Sequence, residues 1–163
     1  MTRPGSATSG LLLAALVLAL DQATKVLIHQ VVMVPPRIIE VTGFLNLVLV
    51  WNPGISFGLL GEGSAVQVWL LSAFGTIVAG GLIAWLIVGV PGRLAAVAVG
   101  LVAGGALGNV LDRLRFGAVM DFVDVHAYGW HWPAFNVADA GITVGVIGLL
   151  LDSLLRERAA RRT

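Results

Sequence analysis

Two aspartates, Asp121 and Asp139, stand in the stretch from Met120 to Ala140, MDFVDVHAYGWHWPAFNVADA, and each meets an apolar run. Asp121 follows Ala118-Val119-Met120. Asp139 opens the segment Ala140 to Leu151, which holds no charged residue. A carboxylate at the head of a membrane helix is costly and by default points to function. Two carboxylates brought together in a low-dielectric site do not both ionise easily, so one keeps its proton at neutral pH. One acid and one base of this kind activate a water, which is the electrostatic requirement of an aspartyl hydrolase. The plainer alternative is that Asp139 complements the dipole of a helix N-terminus and that Asp121 is a solvated loop charge.

The composition decides the solvent in which such a site must work. Of the 163 residues, 58% are hydrophobic and 12% charged, against about 25% charged in soluble domains. Mean hydropathy is +0.94. The chain is therefore built for lipid, as one polytopic domain over residues 1–163. A net charge of +1, with no basic cluster interleaved with aromatics, gives no sign of a nucleic-acid partner. The absence of cysteine excludes disulfides, thiol catalysis and cysteine-ligated zinc. His29, His126 and His131 are scattered without a metal-ligand spacing, so neither metal nor cofactor is expected.

Four spans must position the acids. Leu11 to Leu20 has the apolar character of a signal-peptide core, but no small-x-small cleavage site follows and apolar residues resume after Lys25. One helix over about Ser9 to Val32 is predicted, ended by Pro35-Pro36. Asp21 and Lys25 share a face of it at i, i+4; the pair either snorkels near the surface or serves a site. Arg37 to Gly61 is rich in β-branched residues and predicts short strands, punctuated by NPGISFG, Asn52 to Gly58. Gly54 and its neighbour glycine let backbone approach closely there, unless the segment is an ordinary turn. The second span is predicted over Ala65 to Val88, with Trp69 and Trp85 near its ends. The turn Val90-Pro91-Gly92-Arg93 leads to a third, Leu94 to Leu111. Gly100, Gly104 and Gly108 form a stripe on it for close helix packing. Asn109, Asp112 and Arg113 cluster at its end, with Asn109 and Arg113 on one face. Phe116 to Pro133 reads as a second extramembrane loop carrying Asp121, Asp124, His126, His131 and the interfacial Trp130 and Trp132. Asn136 to about Leu155 is the fourth span, followed by an arginine-rich tail. The fold class is thus an all-α integral membrane protein of four transmembrane helices, with a small strand-rich extramembrane element between helices 1 and 2.

Four spans put both termini on one side. Asp21, Lys25, Asn109, Asp112, Arg113, Asp139, Asn52 and Asp121 then all fall toward the opposite side. Of the acidic and Asn residues near the membrane, only Asp152 stands apart, beside the arginine tail. Arg3, Arg93 and the four tail arginines lie on the terminal side, against Lys25, Arg37, Arg113 and Arg115 on the other. The positive-inside rule therefore favours cytoplasmic termini and an outward-facing site.

In this setting the chain resembles the lipoprotein signal peptidases (signal peptidase II) of bacteria over essentially its whole length. Four blocks carry the resemblance in order: DQATK (Asp21 to Lys25); NPGISFG; GGALGNVLDR (Gly104 to Arg113) continuing to VMDFVD (Val119 to Asp124); and FNVAD (Phe135 to Asp139). Ile55-Ser56 stands where the family often has two small apolar residues. The resemblance implies an aspartyl endopeptidase of the bacterial inner membrane. It would remove the signal peptide of prolipoproteins just before a diacylglyceryl-modified cysteine, acting as a monomer on lipid-borne substrates. It also implies a catalytic pair at Asp121 and Asp139. Supporting or substrate-binding roles fall on Asp21, Lys25, Asn52, Gly54, Gly108, Asn109, Arg113 and Asn136. Asn52 and Asn136 are expected to orient the pair, Arg113 to donate to substrate carbonyls, and Asp21 and Lys25 to hold the scaffold.

Other classes fit less well. A transporter relay through Asp21, Asp121 and Asp139 needs charges across the membrane and commonly an internal repeat. A metallohydrolase using His126 or His131 lacks an HExxH-type spacing. A non-catalytic assembly factor would use the glycine stripe to bind a partner helix.

Overall fold

The computed structural model describes residues 4–54, 65–89 and 92–161. Four helices are long and apolar enough to cross a membrane. The first, α1 (Pro4–Leu27), starts earlier than its apolar run and continues into a π-helical turn, Ile28–Val32. Two strands follow, β1 (Ile39–Thr42) and β2 (Leu45–Asn52), where the β-branched pattern predicts them. Then come α2 (Ala65–Gly89) and α3 (Arg93–Phe116). The third helix runs a full turn past Leu111, so Asp112 and Arg113 belong to it. It ends at Gly117, whose φ of 73° suits a glycine. The last helix, α4 (Val137–Ala160), is extended beyond Leu155 by i, i+4 pairs of Asp152 with Arg156 and Glu157 with Arg161. Residues 55–58 of the NPGISFG block, with Ile55-Ser56, lie outside the described residues, as do residues 90 and 91 of the predicted turn.

The segment from Phe116 to Pro133 corrects the sequence reading. It is not a loop but mainly β3 (Val119–Ala127) and the short β4 (Trp130–His131). One antiparallel sheet in the order β1-β2-β3-β4 joins both extramembrane segments. Two aspartates interrupt the apolar character of β3, which hid it from local pattern; pairing with β2 supplies what local propensity lacks. The register sets Val50 against Asp121 and Asn52 against Val119. Phe135 bonds back to the strand, accepting from Phe122 and Val123 and donating to the Val123 carbonyl at 3.0 Å. That knot fixes the start of α4 beside Asp121. Ile28, Met33, Met120 and Phe122 form a buried core beneath the sheet.

α3 is the central post, packed along α1, α2 and α4. Its glycine stripe makes this possible. A methyl at Gly100 or Gly104 would meet the carbonyls of Gly10 or Ala14 on α1, and one at Gly105 the carbonyl of Ala138 on α4. Small residues are what let helix backbones approach in lipid.

Candidate active site

Asp121 lies near the start of β3, on the strand face opposite Met120 and Phe122, and is 1% exposed. Its carboxylate accepts Asn52 Nδ2 at 3.0 Å and Asn136 Nδ2 at 2.7 Å. Asn52 is the last residue of β2, and its own Oδ1 accepts the Gly54 N–H. Gly54 has φ of 114°, and a side chain there would collide with Leu71 of α2. A glycine is thus required where the chain turns past the site. Burial pushes the Asp121 carboxyl up to about 6; the Asn52 bond pulls it down, the Asp139 charge pushes it up, and Asn136 and Lys25 pull it down.

Asp139 enters from the first turn of α4. Its carboxylate accepts Asn109 Nδ2 at 2.8 Å and the Asn136 N–H at 3.2 Å. Asn136 in turn accepts the Asp139 N–H at 2.9 Å, so the two form a reciprocal capping box. The plain helix-terminus reading of Asp139 therefore holds as far as it goes, but it is incomplete. The same Asn136 side chain that caps α4 also grips Asp121, and reaches Asn109 Oδ1 at 3.3 Å and the Met120 carbonyl at 3.2 Å. One amide, 1% exposed, thereby ties both aspartates together. The solvated-loop reading of Asp121 is overturned by its burial in β3.

Behind this pair lies a second set of charges. Lys25 reaches Asp21 at 2.9 Å and Asp112 at 2.7 Å, and Asn109 Oδ1 at 3.4 Å. Lys25 is 5% exposed, so it does not snorkel. Asp21 accepts the Ala138 N–H at 2.9 Å, another bond that anchors the start of α4. Asp112 accepts the Met120 N–H at 3.1 Å, one residue before Asp121. Gly108 makes room for this set, since a methyl there would press on the Asp21 carboxylate. Gln22 links Asp21 and Asp112 at 3.1 and 3.0 Å. Asp112 and Gln22 were given no role by sequence reasoning. Their signal was available: Asp112 follows Gly108 by four residues on the face that meets α1.

Arg113 lies at the edge. Its Nη1 donates to the Asn109 carbonyl at 3.4 Å, and its Nε is buried without a partner among the described residues. Arg113 and Asn109 line a cavity of about 280 Å³ among α2, α3 and α4. Asp139 lines another of about 300 Å³, with Trp132, Phe135 and Val144. The site is a buried polar knot open to apolar space.

The family model for signal peptidase (SPase) II matches residues 13–155. The chain belongs to the signal peptidase II family. A lipoprotein signal peptidase of Methylobacterium sp. (strain 4-46) is 44% identical over 149 residues, covering 91% of this chain and 90% of the relative. One from Paraburkholderia phytofirmans is 44% identical over 158 residues, covering 96% and 91%. A solved structure described as a bacterial membrane enzyme, obtained by the in meso method at 2.3 Å resolution, superposes with a TM-score of 0.79 at 31% identity. It covers 98% of this chain and 93% of that one. As a signal peptidase II, the chain is an aspartic endopeptidase and a multi-pass protein of a bacterial membrane.

Proposed function

We propose that Asp121 and Asp139 are the catalytic pair of this signal peptidase II. Its substrates are prolipoproteins, cut just before a diacylglyceryl-modified cysteine. The observation that carries the reading is Asn136, whose side-chain amide donates to the Asp121 carboxylate at 2.7 Å and whose backbone N–H donates to the Asp139 carboxylate at 3.2 Å. It aims two carboxyl groups without neutralising either. A water between them loses a proton to the ionised member while the protonated member polarises the scissile carbonyl. The pair titrates as a unit. Asn52 and Asn109 hold the outer oxygens, and the unpartnered Arg113 Nε is free to donate to a substrate carbonyl. Asp21 and Lys25 act as scaffold.

The enzyme acts as a monomer in the cytoplasmic membrane, with both termini inside and the site near the outer face. The arginine distribution and the sidedness of the acids support this orientation. The apolar cavity beside Asp139 accepts acyl chains directly from lipid, and each buried CH2 contributes about 0.8 kcal/mol. Purified enzyme in lipid should therefore cleave a diacylglyceryl-modified precursor and process the unmodified one poorly. Equal rates would remove the lipid-gated part of the reading, and no cleavage of either would remove the substrate assignment.

A further inference from the structure

α2 and α4 each pack along α3 but scarcely touch one another. They leave a lateral groove floored by α3. At its outer end is the cavity lined by Leu71 and Phe74 of α2, Asn109 and Arg113 of α3, and Ile142 of α4. At its other end is a second cavity of about 310 Å³, lined by Trp85 of α2 and by Leu149, Asp152, Ser153 and Arg156 of α4. With a rise of about 1.5 Å per residue, Asp152 lies roughly 20 Å from Asp139 along the α4 axis. A signal peptide has an apolar segment of about 7–15 residues preceded by a positively charged one. As a helix, that apolar segment is roughly 10–22 Å long. The groove matches it in length and in polarity, and its far end carries an acid.

That acid is placed against its neighbourhood. The terminal end of α4 is otherwise dominated by Arg156, Arg158 and Arg161, and Glu157 is engaged with Arg161. Asp152 lines the cavity with its side chain only 18% exposed, and its one ion-pair partner among the described residues, Arg156, is 45% exposed. Arg156 can swing into water at little cost when another cation arrives.

We propose that Asp152 receives a lysine or arginine from the basic leading segment of a signal peptide seated in the α2/α4 groove, displacing Arg156. Asp152 is then a specificity-determining residue at the far end of the groove from the scissile bond. The inference rests on the proposed function and on the termini-inside orientation.

The test uses two lipid-modified precursors, identical except that the leading segment carries two lysines or two glutamines. The readout is the ratio of their kcat/KM values on one enzyme preparation, so any loss of folded enzyme cancels. Wild type should favour the basic precursor by about threefold, the scale of a partly exposed ion pair. Asp152→Asn should bring the ratio to one. Arg156→Gln, which removes the competing cation, should widen it. A wild-type ratio of one, an unchanged ratio in Asp152→Asn, or a collapsed ratio in Arg156→Gln would each overturn the proposal. If wild type cleaves neither precursor, the function reading itself fails.

Discussion

Asn109 stands between two pairs of carboxylates. On one side Asp21 and Asp112 share Lys25, whose ammonium lies within 2.9 Å of both. On the other, among the described residues, Asp121 accepts only the side-chain amides of Asn52 and Asn136, and Asp139 only the Asn109 amide and the Asn136 backbone N–H. The residue types are the same, but Asp139 is only half-buried where the other three are buried, and the charge placed between the acids differs. A cation bonded to both carboxylates fixes their positions. Each lone pair it and the backbone satisfy makes the set a better brace and a poorer base. Amides orient a carboxylate without placing a cation beside it, and burial, with the Asp139 charge adding to it, keeps a proton available on Asp121. The brace also bonds Ala138 and Met120, the backbone neighbours of the two aspartates proposed as catalytic. Its hydrogen bonds position the proposed catalytic pair.

The largest effect should come from making one substitution on both sides. Asp121→Asn and Asp139→Asn should each lower the rate of precursor cleavage by about a thousandfold or more, since an amide neither takes nor gives the proton. Asp21→Asn and Asp112→Asn should keep the rate per folded molecule within about tenfold, because position is degraded and chemistry is not. Single-turnover rates normalised to folded enzyme decide this. Equal losses on both sides would erase the distinction.

Stability should show the reverse order. Lys25→Met leaves two buried carboxylates without their cation and should cost about 3–5 kcal/mol, the scale of a broken buried ion pair. Adding Asp21→Asn and Asp112→Asn to the same chain should recover much of that loss, since a neutral set no longer strands a charge. Thermal midpoints in one detergent give the comparison. A triple variant no more stable than Lys25→Met would mean the brace works through shape and not charge.

A smaller effect separates orientation from neutralisation. Asp121 is pushed up to about 6 chiefly by burial, with the Asn52 bond working against it. Its protonated form is favoured by the fold, so that contribution to stability is fully present below about 3.8 and lost as pH rises through about 6. The free enzyme's kcat/KM should accordingly decline on the alkaline side of about 6. Asn52→Ala removes a bond that favours the carboxylate, so this limb should move to higher pH, with a rate loss of about tenfold. A limb that moves down, or stays, would show that Asn52 does not touch the titrating group in solution.

These contrasts also mark what the sequence made legible. The spans were readable because lipid demands long uncharged runs, and the acids because lipid makes them conspicuous. The sharing of Lys25 between Asp21 and Asp112 was not readable, since only the Asp21 half is local to one helix. β3 was hidden because Asp121 and Asp124 break its apolar pattern, and its strand character comes from β2, a partner far away in the chain. Asn136 read as one orienting amide. Its double duty as helix cap and as the link to Asp121 exists only once Phe135 is knotted to Val123.

A third acid tests how far the site extends. Asp124, three residues after Asp121 on the same strand, accepts His131 Nδ1 at 2.9 Å and Asn46 Nδ2 at 2.9 Å. The His131 bond, then the Asn46 bond, holds its carboxyl below the usual range. That contribution is present above about 3.8 and lost as pH falls through the lower folded value. The bond fastens the β3–β4 hairpin, whose next residue, Trp132, lines the cavity beside Asp139. His131 is more than half exposed, so solvent screens the pair and its contribution is small. Asp124→Asn should therefore speed hydrogen exchange at the Trp132 N–H, which bonds the Val125 carbonyl at 2.8 Å, by about threefold. Cleavage should change by no more than that. If exchange is unaltered, the hairpin is held by its backbone alone. If exchange rises as expected and cleavage drops tenfold or more, Trp132 belongs to the working surface of the site. The amide-held pair would then depend on a wall outside the helices as well as on the lysine brace within them.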